Sequence, residues 1–166
     1  RIVVRYKREF RASYIQGVKY GHQFEVAEIK PQKLTIQPFP GHNRVILPHH
    51  HLSTIARHED PSWKSALSSV KGVYLIVDTT SGRMYVGSAT GNSGIWQRWM
   101  AYTETGHGGN KELKRLIEKR GLRYANNFQY AILEIADFHA TDEEILAREQ
   151  HWKEVLLSRK KGFNRN

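Results

Sequence analysis

Two short apolar segments, Gly72-Val73-Tyr74 and Tyr85-Val86-Gly87, stand either side of Asp78-Thr79-Thr80-Ser81-Gly82. Aspartate, serine and glycine supply turn chemistry, while β-branched and aromatic residues suit a pleated strand, so the pattern predicts an antiparallel hairpin. The rest of the second half must pack on it. Leu113, Leu116 and Ile117 recur at helical spacing between a start near Asn110 and a stop at Gly121. Phe128, Tyr130 and Ile132 alternate as a strand. Thr141-Asp142-Glu143-Glu144 has the form of a capping box and opens a helix expected to run to about Leu157. With a further helix through Gly94-Ile95-Trp96-Gln97-Arg98-Trp99, the order from residue 72 becomes strand, turn, strand, helix, helix, strand, helix. The expected class is α+β: a small antiparallel sheet flanked by helices.

The region before it is expected to be β-rich. Ile2, Val4 and Tyr6 alternate with polar positions, as do Phe24 and Val26. Leu34-Thr35-Ile36 and Val45-Ile46-Leu47 are further short strand candidates, punctuated by prolines. Pro48-His49-His50-His51 invites a metal reading, but without cysteine or a paired carboxylate at ligand spacing a solvated or phosphate-facing loop is expected instead. Asp60-Pro61 is a helix start, an N-cap acid followed by proline, and Trp63, Ala66, Leu67 and Val70 form its apolar stripe. The domain boundary is therefore set at this helix: residues 1–60 as one region, serving recognition or dimerisation, and residues 61–166 as the other.

Composition narrows the function classes. The chain has 166 residues, no cysteine and a formal net charge of +10. Disulfides and thiolate zinc sites are excluded, and a cytoplasmic setting fits. No apolar stretch approaches the roughly 18 residues that a membrane span needs, so no membrane partner is expected. The chain opens on Arg1 rather than methionine, so further sequence upstream is expected. The positive charge is spread over both halves, +6 in residues 1–70 and +4 in residues 71–166. Such a surface collects a polyanion by counterion release, and a basic solvated surface is the alternative reading.

A few positions carry chemistry. Glu149 shares a helix face with Ile145, Trp152 and Leu156, so a carboxylate is placed where the side chains turn inward. Burying it alone costs several kcal/mol. A divalent cation or a salt bridge to an arginine such as Arg148 or Arg98 would each offset that cost. Arg98 and Tyr102 project from one side of their helix, a pair that suits a phosphate or, equally, a solvated arginine beside a core tyrosine. His107, Lys111 and Lys114 flank a glycine-rich loop at a helix N-terminus and are candidate phosphate contacts. Tyr74 and Tyr85 stand on adjacent strands of the hairpin as a packing pair, unless Gly72 and Gly87 mark a close approach of backbone to substrate.

Over residues 72–164 these landmarks resemble the GIY-YIG nuclease family. Gly72-Val73-Tyr74 and Tyr85-Val86-Gly87-Ser88-Ala89 are similar to its two signature strands, with valine in place of isoleucine in each. Arg98 resembles the helix arginine, and Tyr102 a position held by histidine or tyrosine. Glu149 resembles the metal-binding glutamate, and Asn164, in Gly162-Phe163-Asn164, the terminal asparagine that stabilises the site. The resemblance implies hydrolysis of DNA phosphodiester bonds with one Mg2+ or Mn2+ at Glu149. Arg98 would hold the phosphate, Tyr74 would activate or orient the water, and Tyr85 and Tyr102 would complete the hydrogen-bond set, either able to exchange roles with Tyr74. A prokaryotic or phage setting follows.

The expected activity is that of a restriction-type endonuclease cutting double-stranded DNA, with a homodimer or higher oligomer where both strands are cut. A structure-specific repair or recombination nuclease, and a non-catalytic DNA-binding module that keeps the fold, are the alternatives.

Overall fold

The computed structural model describes residues 2–6, 22, 24–29 and 37–165. Contacts divide the chain into residues 1–35 and residues 36–166. In the first unit β1 (Ile2–Tyr6) pairs antiparallel with β2 (Phe24–Ile29), Ile2 opposite Ile29 and Tyr6 opposite Phe24. The strand expected at Leu34-Thr35-Ile36 lies outside the described residues.

The second unit is built on a four-stranded antiparallel sheet in the order β3-β6-β4-β5. Its centre is the predicted hairpin. β4 (Lys71–Asp78) pairs with β5 (Met84–Ala89), Gly72 opposite Ala89 and Val77 opposite Met84. Asp78 sets the turn: its carboxylate accepts from Thr80 N at 3.0 Å, Ser81 Oγ at 2.6 Å and the Tyr124 hydroxyl at 3.0 Å. The other side of β4 pairs with β6 (Phe128–Ala136), and β6 pairs with β3 (Ile46–Pro48). Residues 37–60 therefore fold with the sheet, and the division by contacts falls at residue 35 rather than 60. The reason is non-local: β3 finds its partners about eighty residues away, at Gln129–Ala131.

Helices cover the sheet where the apolar spacing directs. α1 (His49–His58) buries His49, Leu52 and Ile55. α2 (Pro61–Ser68) starts as expected, Asp60 Oδ1 accepting from Ser62 N at 3.0 Å and Trp63 N at 3.4 Å, and it buries Trp63 and Leu67 completely. α3 (Gly94–Thr105) buries Ile95, Trp96, Trp99 and Tyr102. α4 (Lys111–Arg120) is capped by Asn110 and ends at Gly121. α5 (Asp142–Val155) opens with the capping box of Thr141 and Glu144. It stops two residues short of the expectation: Leu157 takes a left-handed conformation and leads into the short α6 (Ser158–Lys161), which turns the chain back toward β5.

The histidine run is a helix start, not a loop. Pro48 occupies the N-cap position, where its missing N–H costs nothing, and His49 tucks under the helix with Nδ1 hydrogen-bonded to the Tyr130 hydroxyl at 3.0 Å. Burial, reinforced by neighbouring His50, pulls His49 down to about 4. A histidine held neutral in the fold takes its proton more readily when unfolded. Its stabilising contribution is complete above the unfolded value near 6.5 and is lost as the pH falls toward 4. Between pH 7 and pH 4.5, His49→Asn should lose about 2–3 kcal/mol less stability than the unsubstituted protein. Urea midpoints at the two pH values check this; equal losses would refute it.

Candidate active site

On the α3 side of the sheet the hairpin tyrosines meet the helix arginine. Arg98 Nε donates to the Tyr74 hydroxyl at 3.0 Å, and the Tyr74 and Tyr102 hydroxyls share a hydrogen bond of 3.0 Å. Arg98 Nη1 donates to the Gly108 carbonyl at 3.0 Å, tying the glycine-rich loop to the cluster. The rings of Tyr74, Tyr85 and Tyr102 lie 6.0–6.5 Å apart, and the guanidinium stands 5.6 Å from the Tyr102 ring centre. A planar group held by two directed bonds still has donors free to meet a phosphate. Burial pushes the Tyr74 phenol well above its ordinary value, Tyr85 adding to the shift and Arg98 opposing it. Burial does the same to Tyr102, with Tyr74 and Tyr85 adding to it. Both phenols are fully buried, whereas Tyr85 keeps 8% exposure and lines a cleft.

The two signature glycines serve the sheet, not a substrate. A Cβ at Gly72 would collide with the Glu134 carbonyl of β6, beside the register shift at Val73/Tyr74. A Cβ at Gly87 would stand 2.5 Å from the Tyr74 hydroxyl. Gly87 is directly opposite Tyr74 in the ladder, so its missing side chain is the space that the phenol fills.

The carboxylate is paired on the next layer. Successive β5 side chains alternate between faces, so Ser88 turns to the side opposite Gly87, toward α5. There Ser88 Oγ donates to Glu149 Oε2, and Lys153 Nζ lies 2.6 Å from Glu149 Oε1. Glu149 is 7% exposed and Lys153 1%. Glu149 is thus inward, as expected, but its ionic partner is neither Arg98 nor Arg148. Arg148 pairs with Glu134 at 3.1 Å, and Trp152 Nε1 donates to the same carboxylate at 3.0 Å. The buried stripe of α5 is Ile145, Glu149 and Lys153, while Trp152 and Leu156 are only half-buried. A glutamate followed four residues later by lysine is the signal that would have revealed the pair.

The two layers meet at the edge of β5. One cleft of about 490 Å3 is lined by Tyr85, Arg98, Gly108, Lys111 and Arg165 among others. A second, of about 410 Å3, is lined by Arg98 together with Ser88, the partner of Glu149. Lys111 lines the first cleft. Lys114 does not line it and pairs with Glu118 at 4.0 Å on the exposed face of α4. His107 Nδ1 accepts from Gly109 N at 3.0 Å and so shapes the loop whose Gly108 carbonyl receives Arg98. Arg165 was not expected from the sequence pattern.

Asn164 closes the open edge of β5. It is fully buried; Oδ1 accepts from Val86 N at 2.9 Å and Nδ2 donates to Val86 O at 2.8 Å, while Phe163 N donates to Met84 O at 2.8 Å. The amide thereby copies a neighbouring strand. No cluster of three or more histidine, cysteine, aspartate or glutamate side chains occurs among the described residues, and among them no helix is long and apolar enough to cross a membrane.

The family model described as the GIY-YIG catalytic domain matches residues 70–164. Intron-associated endonuclease 1 of Enterobacteria phage T4 is 32% identical over 93 residues, covering 56% of this chain and 36% of that protein. The chain thus spans about a third of that relative's length. Two solved structures are similar. A mutant of the catalytic domain of intron endonuclease I-TevI is 30% identical, covering 58% of this chain and 94% of that one, with a TM-score of 0.45. The catalytic domain of homing endonuclease I-TevI is 32% identical, covering 57% and 96%, with a TM-score of 0.43. The family match takes in both hairpin strands, Arg98, Glu149 and Asn164, and covers more than half of the sequence; the chain belongs to the GIY-YIG family through its catalytic domain.

Proposed function

We propose that this protein is a divalent-metal-dependent endonuclease that hydrolyses DNA phosphodiester bonds. The observation that carries the reading is Arg98, fixed between the Tyr74 hydroxyl and the Gly108 carbonyl on the wall of a cleft that Tyr85 also lines. A phosphate entering there would meet the free donors of a guanidinium that needs no further reorganisation, an arrangement worth most where negative charge builds in the transition state. Tyr85 stands on the cleft wall, which supports it as the phenol that would orient or deprotonate the attacking water. Tyr74, buried behind it with its proton held tightly, positions Arg98.

The donor set fits a hard cation in a limited way. Glu149 has lone pairs beyond those used by Ser88 and Lys153, and a single carboxylate suffices for an ion whose other ligands are waters and substrate phosphate. Bound at Glu149, Mg2+ or Mn2+ would neutralise charge on the phosphate and on the leaving oxygen. Lys111 and Arg165 would grip flanking phosphates, and the net charge of +10 would draw the duplex in. Residues 1–35 would add recognition or dimerisation. Restriction-type cutting of both strands is the finer form of this reading and requires two such sites, supplied by an oligomer or by successive nicks.

Supercoiled plasmid with Mg2+ tests it. The protein should nick or linearise the plasmid; Glu149→Ala should abolish cutting while retaining DNA, and Tyr85→Phe should slow it by about 100-fold or more. If the unsubstituted protein and Glu149→Ala both bind DNA and neither cuts any DNA substrate tried, the non-catalytic reading stands instead. Ends mapped on a long genome would separate a fixed recognition sequence from a structural target.

A further inference from the structure

Lys153 carries its ammonium into the interface between α5 and the sheet, 1% exposed, and sets it 2.6 Å from Glu149 Oε1 one helical turn away. Taking a lysine out of water is costly, and an apolar side chain of similar volume would serve packing at least as well. The charge itself is therefore what the position uses. It cancels that of Glu149, so the unliganded protein offers an arriving cation a neutral pair, not a bare carboxylate. Ser88 holds the other oxygen, and the acid is fixed in place before any ion arrives.

We propose that Lys153 is a positioning residue that makes divalent-cation binding conditional on DNA: Glu149 holds the ion well only once a substrate phosphate adds its own negative charge. This rests on the reading of Glu149 as the cation-holding carboxylate. Lys153 itself touches neither substrate nor the reacting atoms; it acts through Glu149.

Mn2+ binding to the whole chain, followed through the free-ion EPR signal, tests the proposal without reference to activity. In the absence of DNA, Lys153→Gln should bind Mn2+ at least about tenfold more tightly than the unsubstituted protein, because a nearby like charge is removed. Lys153→Arg, which keeps the charge, should bind as the unsubstituted protein does. A short duplex, with its own Mn2+ uptake subtracted, should tighten binding in both proteins and bring the unsubstituted protein to at least the affinity that Lys153→Gln has without DNA. Should Lys153→Gln unfold without metal, Mn2+ must raise its melting temperature by more than it raises that of the unsubstituted protein; no such rescue overturns the proposal. Binding that is lost in Glu149→Gln but unchanged in Lys153→Gln overturns the role of Lys153 alone. No Mn2+ binding in any variant, with or without DNA, overturns the cation reading with it.

Discussion

Arg98→Ala is expected to slow DNA cleavage about 100- to 1,000-fold under single-turnover conditions with DNA saturating. The side chain makes two directed bonds, to Tyr74 and to the Gly108 carbonyl, and both point it at the cleft. Alanine removes the donor that would face the phosphate and also releases the loop. Arg98→Lys should recover little. An ammonium on a flexible stem cannot bond the Tyr74 hydroxyl through one nitrogen and a carbonyl through another while keeping donors free. The loss should appear in the rate constant at saturation rather than mainly in DNA affinity, since other cations remain to hold the duplex. A rate within tenfold of the unsubstituted protein would remove Arg98 from the chemistry.

Asn164→Ala is expected to cost about 2–5 kcal/mol of stability. Both halves of the amide are used, and both partners belong to one buried residue, Val86, whose N–H and C=O would be left without a bond. Asn164→Asp should also destabilise, because it keeps the acceptor for Val86 N but sets a carboxylate oxygen against the Val86 carbonyl. Denaturant midpoints read the effect, and activity should fall only as far as the folded fraction falls. Cleavage lost by a fully folded Asn164→Ala protein would show that the amide touches the substrate.

How much of this was legible beforehand depends on the range of the signal. The hairpin, the Asp60 cap, the Asn110 start, the Gly121 stop and the Thr141 capping box are local patterns, and the structure reproduces each. Signals that need a distant partner were not legible. β3 looked like part of the N-terminal region until its pairing with Gln129–Ala131 placed it in the main sheet. Gly72 and Gly87 suggested backbone approach to a ligand, because nothing nearby in sequence shows that Glu134 and Tyr74 occupy the space beside them. Helical spacing placed Glu149 inward but assigned Trp152 and Leu156 to its stripe. A small rotation of α5 against the strands puts Lys153 there instead, and only the packing fixes that rotation.

The tail that seals β5 also limits how copies of this protein can associate. Sheets commonly join chains by lending an unpaired border to a second molecule. Here Met84 and Val86 already spend those groups on Phe163 and Asn164. Two copies would therefore not join along Met84–Val86, and removing Phe163 and Asn164 would expose a template for aggregation.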